Sequence, residues 1–174
     1  MSHDKTRQIL KDGQISQDPW QFIDLEEHTL AEADSDHVFV PLSQLNALRS
    51  QPDKTPAHIG VLVDNDTDIM QLADEFANDQ QNLELIALNI PAFADGRAYS
   101  QAYLLKTRLG FNGEIRATGE ILRDQMFYLH RVGFNAFTTT SDTQTLQHLQ
   151  QGLNDFTVTY QPSADTATNN IAAV

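Results

Sequence analysis

Arg108-Leu-Gly-Phe-Asn112 recurs as Arg131-Val-Gly-Phe-Asn135, 23 positions later. That interval accommodates one short helix, one turn and one strand. An echo of this length therefore points to successive βα units, the way layered α/β folds are built. The surrounding stretch, Phe93 to Phe137, also holds a ladder of arginines.

The same alternation extends in both directions. His37-Val-Phe-Val40 reads as a short strand, and Pro41 to Leu48 as a helix with Leu42, Leu45 and Leu48 at turn-like spacing. Ile59-Gly-Val-Leu-Val63 and Leu83 to Ile90 are continuous apolar runs, as buried parallel strands require. Between them, Asp64, Asp66 and Asp68 resemble the start of a calcium loop, but Ile69 stands where that loop needs glycine. Helix capping by Asp66, Thr67 or Asp68 fits better, with Ile69, Leu72, Ala73 and Phe76 on one face. A helix is expected over 98–109, striped by Tyr99, Ala102, Leu105 and Leu109 and closed by Gly110. Residues 114–120 alternate as a strand, with Ile115, Ala117 and Gly119 on one side and Arg116, Thr118 and Glu120 on the other. A helix over 121–132 follows, with Leu122, Met126 and Leu129 inward and Gly133 past its end. Next come a strand over 136–140, a helix capped by Ser141 or Asp142 that carries Leu146, Leu149 and Leu153, and a last strand over 156–160.

These elements predict an α/β fold. A mostly parallel sheet is built from successive βα units in a single domain spanning 37–160. A doubly wound sheet and a partial (βα) barrel both fit, and the short late units lean toward barrel-like curvature. Residues 1–36 read as an acidic N-terminal arm, anchored to the domain by Trp20, the only tryptophan; Trp20 facing a partner is the alternative. Residues 161–174 read as a disordered tail.

Charge and composition remove several functional classes. The formal charge is −13, which disfavours nucleic acid and anionic membranes as partners. There is no cysteine, so the chain cannot hold an iron–sulfur cluster on its own thiolates or run thiol redox chemistry. No apolar run approaches the roughly 20 residues of a membrane span, and Met1-Ser-His-Asp-Lys5 lacks the apolar core of a signal peptide. A cytoplasmic protein is expected. The histidines are scattered without metal-ligand spacing, so no metal site is expected. No G-x-G-x-x-G or P-loop occurs, which leaves any cofactor unknown.

Between residues 97 and 131, however, six cations face only three carboxylates. In a parallel sheet, ligands collect at the carboxyl ends of the strands. That edge receives Asp95, Arg97, Tyr99 and Ser100 from one unit, Glu120, Arg123, Asp124 and Gln125 from the next, and Thr140 and Ser141 from the last. Arg97 follows a glycine at a helix start, where its planar fork and nearby N–H groups suit a sulfur oxyanion, phosphate or carboxylate. Arg116, mid-strand, needs a counter-charge, for which Glu120, Asp95 and Asp124 are candidates. Three readings stay open: an ion-paired scaffold, an anion site, or acid–base catalysis.

The same stretch carries a resemblance. Pro91-Ala-Phe-Ala-Asp95-Gly-Arg97-Ala-Tyr99-Ser100, Gly113-Glu-Ile-Arg116-Ala117, Gly119-Glu-Ile-Leu-Arg123-Asp-Gln125 and Arg131-Val-Gly-Phe-Asn-Ala-Phe137 form an ordered set. It resembles a bacterial family labelled "oxidoreductase probably involved in sulfite reduction", whose genes commonly sit beside that of assimilatory sulfite reductase. The resemblance implies an accessory protein of sulfite reduction with sulfite reductase as its partner. It also implies an alternative, an oxidoreductase that would need a bound flavin, haem-type group or donor protein. A third reading is a non-catalytic interaction module using Trp20 and the acidic arm. Relatives commonly carry cysteine at the position of Val132 and Asp-Phe-Pro at Asn89-Ile90-Pro91, so neither that thiol nor that carboxylate serves here.

Overall fold

The computed structural model describes residues 7–50, 56–73, 83–139, 143–156 and 163–164. They form a single mixed α/β domain whose eight-stranded sheet is curled into a half-barrel. The strands are β1 (Gln8–Lys11), β2 (Gln14–Gln17), β3 (Gln21–Phe22), β4 (His37–Pro41), β5 (His58–Val63), β6 (Leu83–Ile90), β7 (Glu114–Gly119) and β8 (Ala136–Thr138). Four helices occur among the described residues: α1 (Leu45–Arg49), α2 (Arg97–Thr107), α3 (Met126–Val132) and α4 (Thr143–Gly152).

The sheet order is β2-β1-β8-β7-β6-β5-β4-β3. Strands β3 to β8 are parallel neighbours in chain order, while β1 pairs antiparallel with both β2 and β8. The order never reverses at a switch point, as a doubly wound sheet requires. The helices also share one face. Leu45 and Leu48 of α1, Ala102 and Leu105 of α2, Met126 and Leu129 of α3, and Leu146 and Leu149 of α4 join one core with Val38, Val61, Leu88, Ile115 and Phe137 of the strands. The opposite strand faces form a second cluster of Trp20, Phe39, Leu85 and Ala87. A parallel sheet whose described helices all lie on one side curls away from them, as in part of a barrel. Gly60 permits the curl: a Cβ there would lie 2.8 Å from Leu85 Cβ and 2.9 Å from Phe39 Cβ.

The echo has a structural cause. Gly110 and Gly133 have φ of 66° and 122° and end α2 and α3, where only glycine turns the chain without strain. The phenylalanine after each, Phe111 and Phe134, is buried. Asn135 then ties its strand to the neighbour: its N–H donates to Ile115 O (3.0 Å), and its Oδ1 accepts from Ile115 N (2.8 Å).

The N-terminal segment departs from the expected arm, since three of the eight strands come from it. Asp12 and Gly13, with φ of 48° and 75°, make the tight turn between β1 and β2. Trp20 is buried and packs edge-to-face on His37, so it anchors this segment to the sheet. The helix expected over 121–132 starts late. Gly119 bends the chain at φ 112° and Leu122 is extended, so a 3-10 turn over Arg123–Gln125 precedes α3. The helical phase shifts accordingly: Ile121 is buried and Leu122 is 46% exposed, not inward. Phe76, the capping pair Ser141 and Asp142, the residues 157–160 of the expected last strand, and nearly all of 161–174 lie outside the described residues.

Candidate functional site

The carboxyl ends of β5, β6 and β7 bring their loops side by side, and side-chain hydrogen bonds tie the loops together. Asp68 caps the 3-10 turn after β5, accepting from Met70 N at 3.0 Å. Asn65 in the same loop donates through Nδ2 to Asp95 Oδ2 in the β6 loop. Gln101 on α2 straps the two elements from behind, its buried Nε2 donating to the carbonyls of Asp64 and Thr67, each at 2.9 Å. Gln101 Oε1 is buried without a hydrogen-bond partner among the described residues. Gln125 joins the β6 and β7 loops: Oε1 accepts from Leu122 N (3.0 Å), and Nε2 donates to Phe93 O (2.7 Å).

Asp95 and Arg97 form one unit at this edge. Asp95 Oδ1 accepts from the Arg97 backbone N–H (3.0 Å) and from Nε (3.1 Å), while Oδ2 accepts from Nη2 (2.7 Å). The guanidinium, then the Arg97 backbone N–H and Asn65, hold the Asp95 carboxyl well below the usual carboxylate range. Reciprocally, Asp95 raises the pKa of Arg97. Arg97 is nevertheless 58% exposed. Tyr99 is half-buried against the main core. Its hydroxyl pKa is pushed up by burial and further by the charge of Asp124. Ser100, Glu120 and Asp124 are exposed.

Two candidates turn elsewhere. Arg123 points to the end of α4, where it donates to Asp155 (2.8 Å) and Gln151 (3.4 Å). Arg116 is only 2% exposed and lies on the concave face. Its expected counter-charges, Glu120, Asp95 and Asp124, do not serve it. It donates instead through Nη1 and Nη2 to both oxygens of Asp18 (2.8 Å each) and through Nε to Glu114 (2.7 Å). Lys11 reaches the other Glu114 oxygen at 2.8 Å. The Arg116 guanidinium also lies 5.7 Å from the Phe39 ring centroid. Register explains the direction. Glu114 and Arg116 are two apart on β7, so both project to the concave face toward the strand's amino end, where Asp18 arrives from the N-terminal segment. The sequence reading missed Asp18, and the Asp12-Gly13 turn flanked by Ile9, Leu10 and Ile15 was the available signal that this segment joins the sheet.

A cleft of about 530 Å³ opens beside this network, lined by Lys11, Trp20, His37, Glu84, Asn112 and Asn135 among others. His37 and His58 face each other in register on β4 and β5 and stack at 3.9 Å. Trp20 packs edge-to-face on His37 at 5.3 Å. His58 Nδ1 meets Glu84 at 2.8 Å. Burial, and then the charge of His58, lower the pKa of His37.

Asp64, Asp66, Asp68, Glu120 and Asp124 are exposed at the carboxyl edge, and none is in an ion pair among the described residues. Among those residues no group of three or more histidines or carboxylates is placed to hold a metal ion. No helix there is long and apolar enough to cross a membrane.

A family model described as a bacterial protein of unknown function (DUF934) matches residues 60–170. No curated protein and no solved structure matches the chain.

Proposed function

The chain belongs to this bacterial family of unknown function, DUF934, and on that premise we propose that it is an accessory protein of assimilatory sulfite reduction, acting by binding sulfite reductase. The pathway and the partner come from the resemblance of the motifs between Pro91 and Phe137. The binding role is supported by one observation. The edge where a half-barrel offers its ligand site carries five exposed carboxylates that form no ion pair among the described residues, and its arginines already hold carboxylates of the chain itself. Such an edge attracts a basic macromolecular surface. The test is co-purification of the tagged full chain from cells growing on sulfate, followed by remixing with purified sulfite reductase. A complex that survives gel filtration and dissociates in high salt is expected. No complex with the purified reductase would refute the proposal.

A second reading has an observation of its own. Arg97 is 58% exposed at the first turn of α2, its fork held in place by Asp95. An arriving sulfur oxyanion or phosphate would take over that fork. Titration with sulfite, sulfate and phosphate should then give saturable binding that Arg97→Ala abolishes while the fold is kept. Equal responses of the two proteins would end this reading.

A further inference from the structure

Phe93 and Leu122 are among the most exposed large apolar residues of the described chain, at 58% and 46%. Single exposed hydrophobes are ordinary. These two differ because they are ordered together. Gln125 holds the carbonyl of Phe93 with one end of its amide and the N–H of Leu122 with the other. The backbones of the two residues, on neighbouring loops, are therefore bridged by a single amide group. The β6 loop is in turn tied to the β5 loop through Asn65 and Asp95. Loop ordering, normally a cost of association, is thus already met in the free protein.

Charge surrounds the pair. Glu120 and Asp124 flank Leu122 at two residues on either side, and Asp95 lies two beyond Phe93 with its charge taken by Arg97. The neighbouring loop adds Asp64, Asp66 and Asp68, and Asp66 is near enough to act on Arg97. An apolar centre with a charged rim is the anatomy of a protein docking site, where the centre holds the partner and the rim selects it.

We infer that Phe93 and Leu122, clamped by Gln125, are the anchors of a protein-docking surface whose partner presents an apolar recess ringed by lysine and arginine. This rests on the binding role proposed above and adds the contact surface and the chemistry of the partner face. The acidic rim governs encounter and salt dependence, and the apolar pair governs how long the complex lasts.

The test is photo-crosslinking of the full chain in cells. A photo-reactive amino acid is placed at position 93, at position 122, and at position 103 on the exposed face of α2 for comparison. Strong crosslinks from 93 and 122 to one polypeptide, and none from 103, are expected. Adding Asp66→Lys and Asp124→Lys should lower the yield at least tenfold, and Gln125→Ala should lower it with the fold intact. Absence of crosslinks at 93 and 122, equal crosslinks at 103, or a yield indifferent to the charge reversals would each overturn the surface. A charge-sensitive product at 93 and 122 that is not sulfite reductase keeps the surface and refutes the partner proposed above. Sulfite reductase captured only from 103 does the reverse.

Discussion

Replacing Arg116 by methionine tests whether the arginine ladder is scaffold. The substitution keeps an unbranched side chain on the concave face and deletes the charge. Asp18, 1% exposed, then loses both guanidinium contacts and, among the described residues, keeps only the Trp20 N–H at 3.1 Å. Glu114 keeps Lys11 at 2.8 Å, so one carboxylate is stranded rather than two. Removing one partner of a buried pair costs about 3–5 kcal/mol, because the remaining charge cannot be solvated. Against a typical domain stability of about 5–15 kcal/mol, that is a large share. Urea denaturation read by Trp20 fluorescence is well suited, since Trp20 is the only tryptophan and lies two residues from Asp18. Arg116→Met should lower the midpoint by the equivalent of about 3–5 kcal/mol with little change in slope. Asp18→Asn added to it should recover at least half of the loss, because the stranded charge is gone. A loss below about 1 kcal/mol, or a double variant no more stable than the single one, would refute the reasoning.

The histidine pair gives a pH dependence. His37 has a lowered pKa in the folded chain, so the unfolded chain binds that proton more readily. Stability should therefore fall as pH drops through the ordinary imidazole range and level off below the folded pKa; urea midpoints between pH 8 and 5 should show the slope in the wild type and a reduced one in His37→Asn. Asp95, with its depressed pKa, contributes fully above the ordinary carboxylate range and loses that contribution only as pH falls below it, so Asp95→Asn should flatten only the acid limb of a midpoint-against-pH curve. Gly119→Ala should cost about 1–3 kcal/mol from backbone strain and more from collision with the Ile90 carbonyl; thermal unfolding checks it, and an unchanged melting temperature would count against the geometry at φ 112°.

Much of the fold was legible in the sequence for local reasons. The apolar runs of β5 and β6, the stripe of α2 and the glycines after α2 and α3 all express preferences acting within a few residues. The capping choice among Asp66, Thr67 and Asp68 was narrowed by the same physics, and the structure selects Asp68. Leu122 shows where local reading fails. Its spacing fitted the helical stripe, but the bend at Gly119 delays the helix, and one missing turn carries that side chain from core to surface. The candidate site divided along the same line. Asp95, offered by the sequence as a counter-charge for Arg116, pairs instead with Arg97 two residues on, whereas Arg116 and Arg123 are drawn away by Asp18 and Asp155.

The sequence by itself determined the βα rhythm, the absence of thiol chemistry, and the delivery of Asp95, Arg97 and Gln125 to a strand's carboxyl end. Only the tertiary structure decided that the four described helices share one face, that the N-terminal segment completes the sheet, and that Arg116 is neutralised by a residue 98 positions away. The physical reason is range. Propensity, capping and turn chemistry are settled between near neighbours, but a buried charge takes whichever partner the assembled sheet brings within hydrogen-bond distance, and that assembly depends on every strand at once.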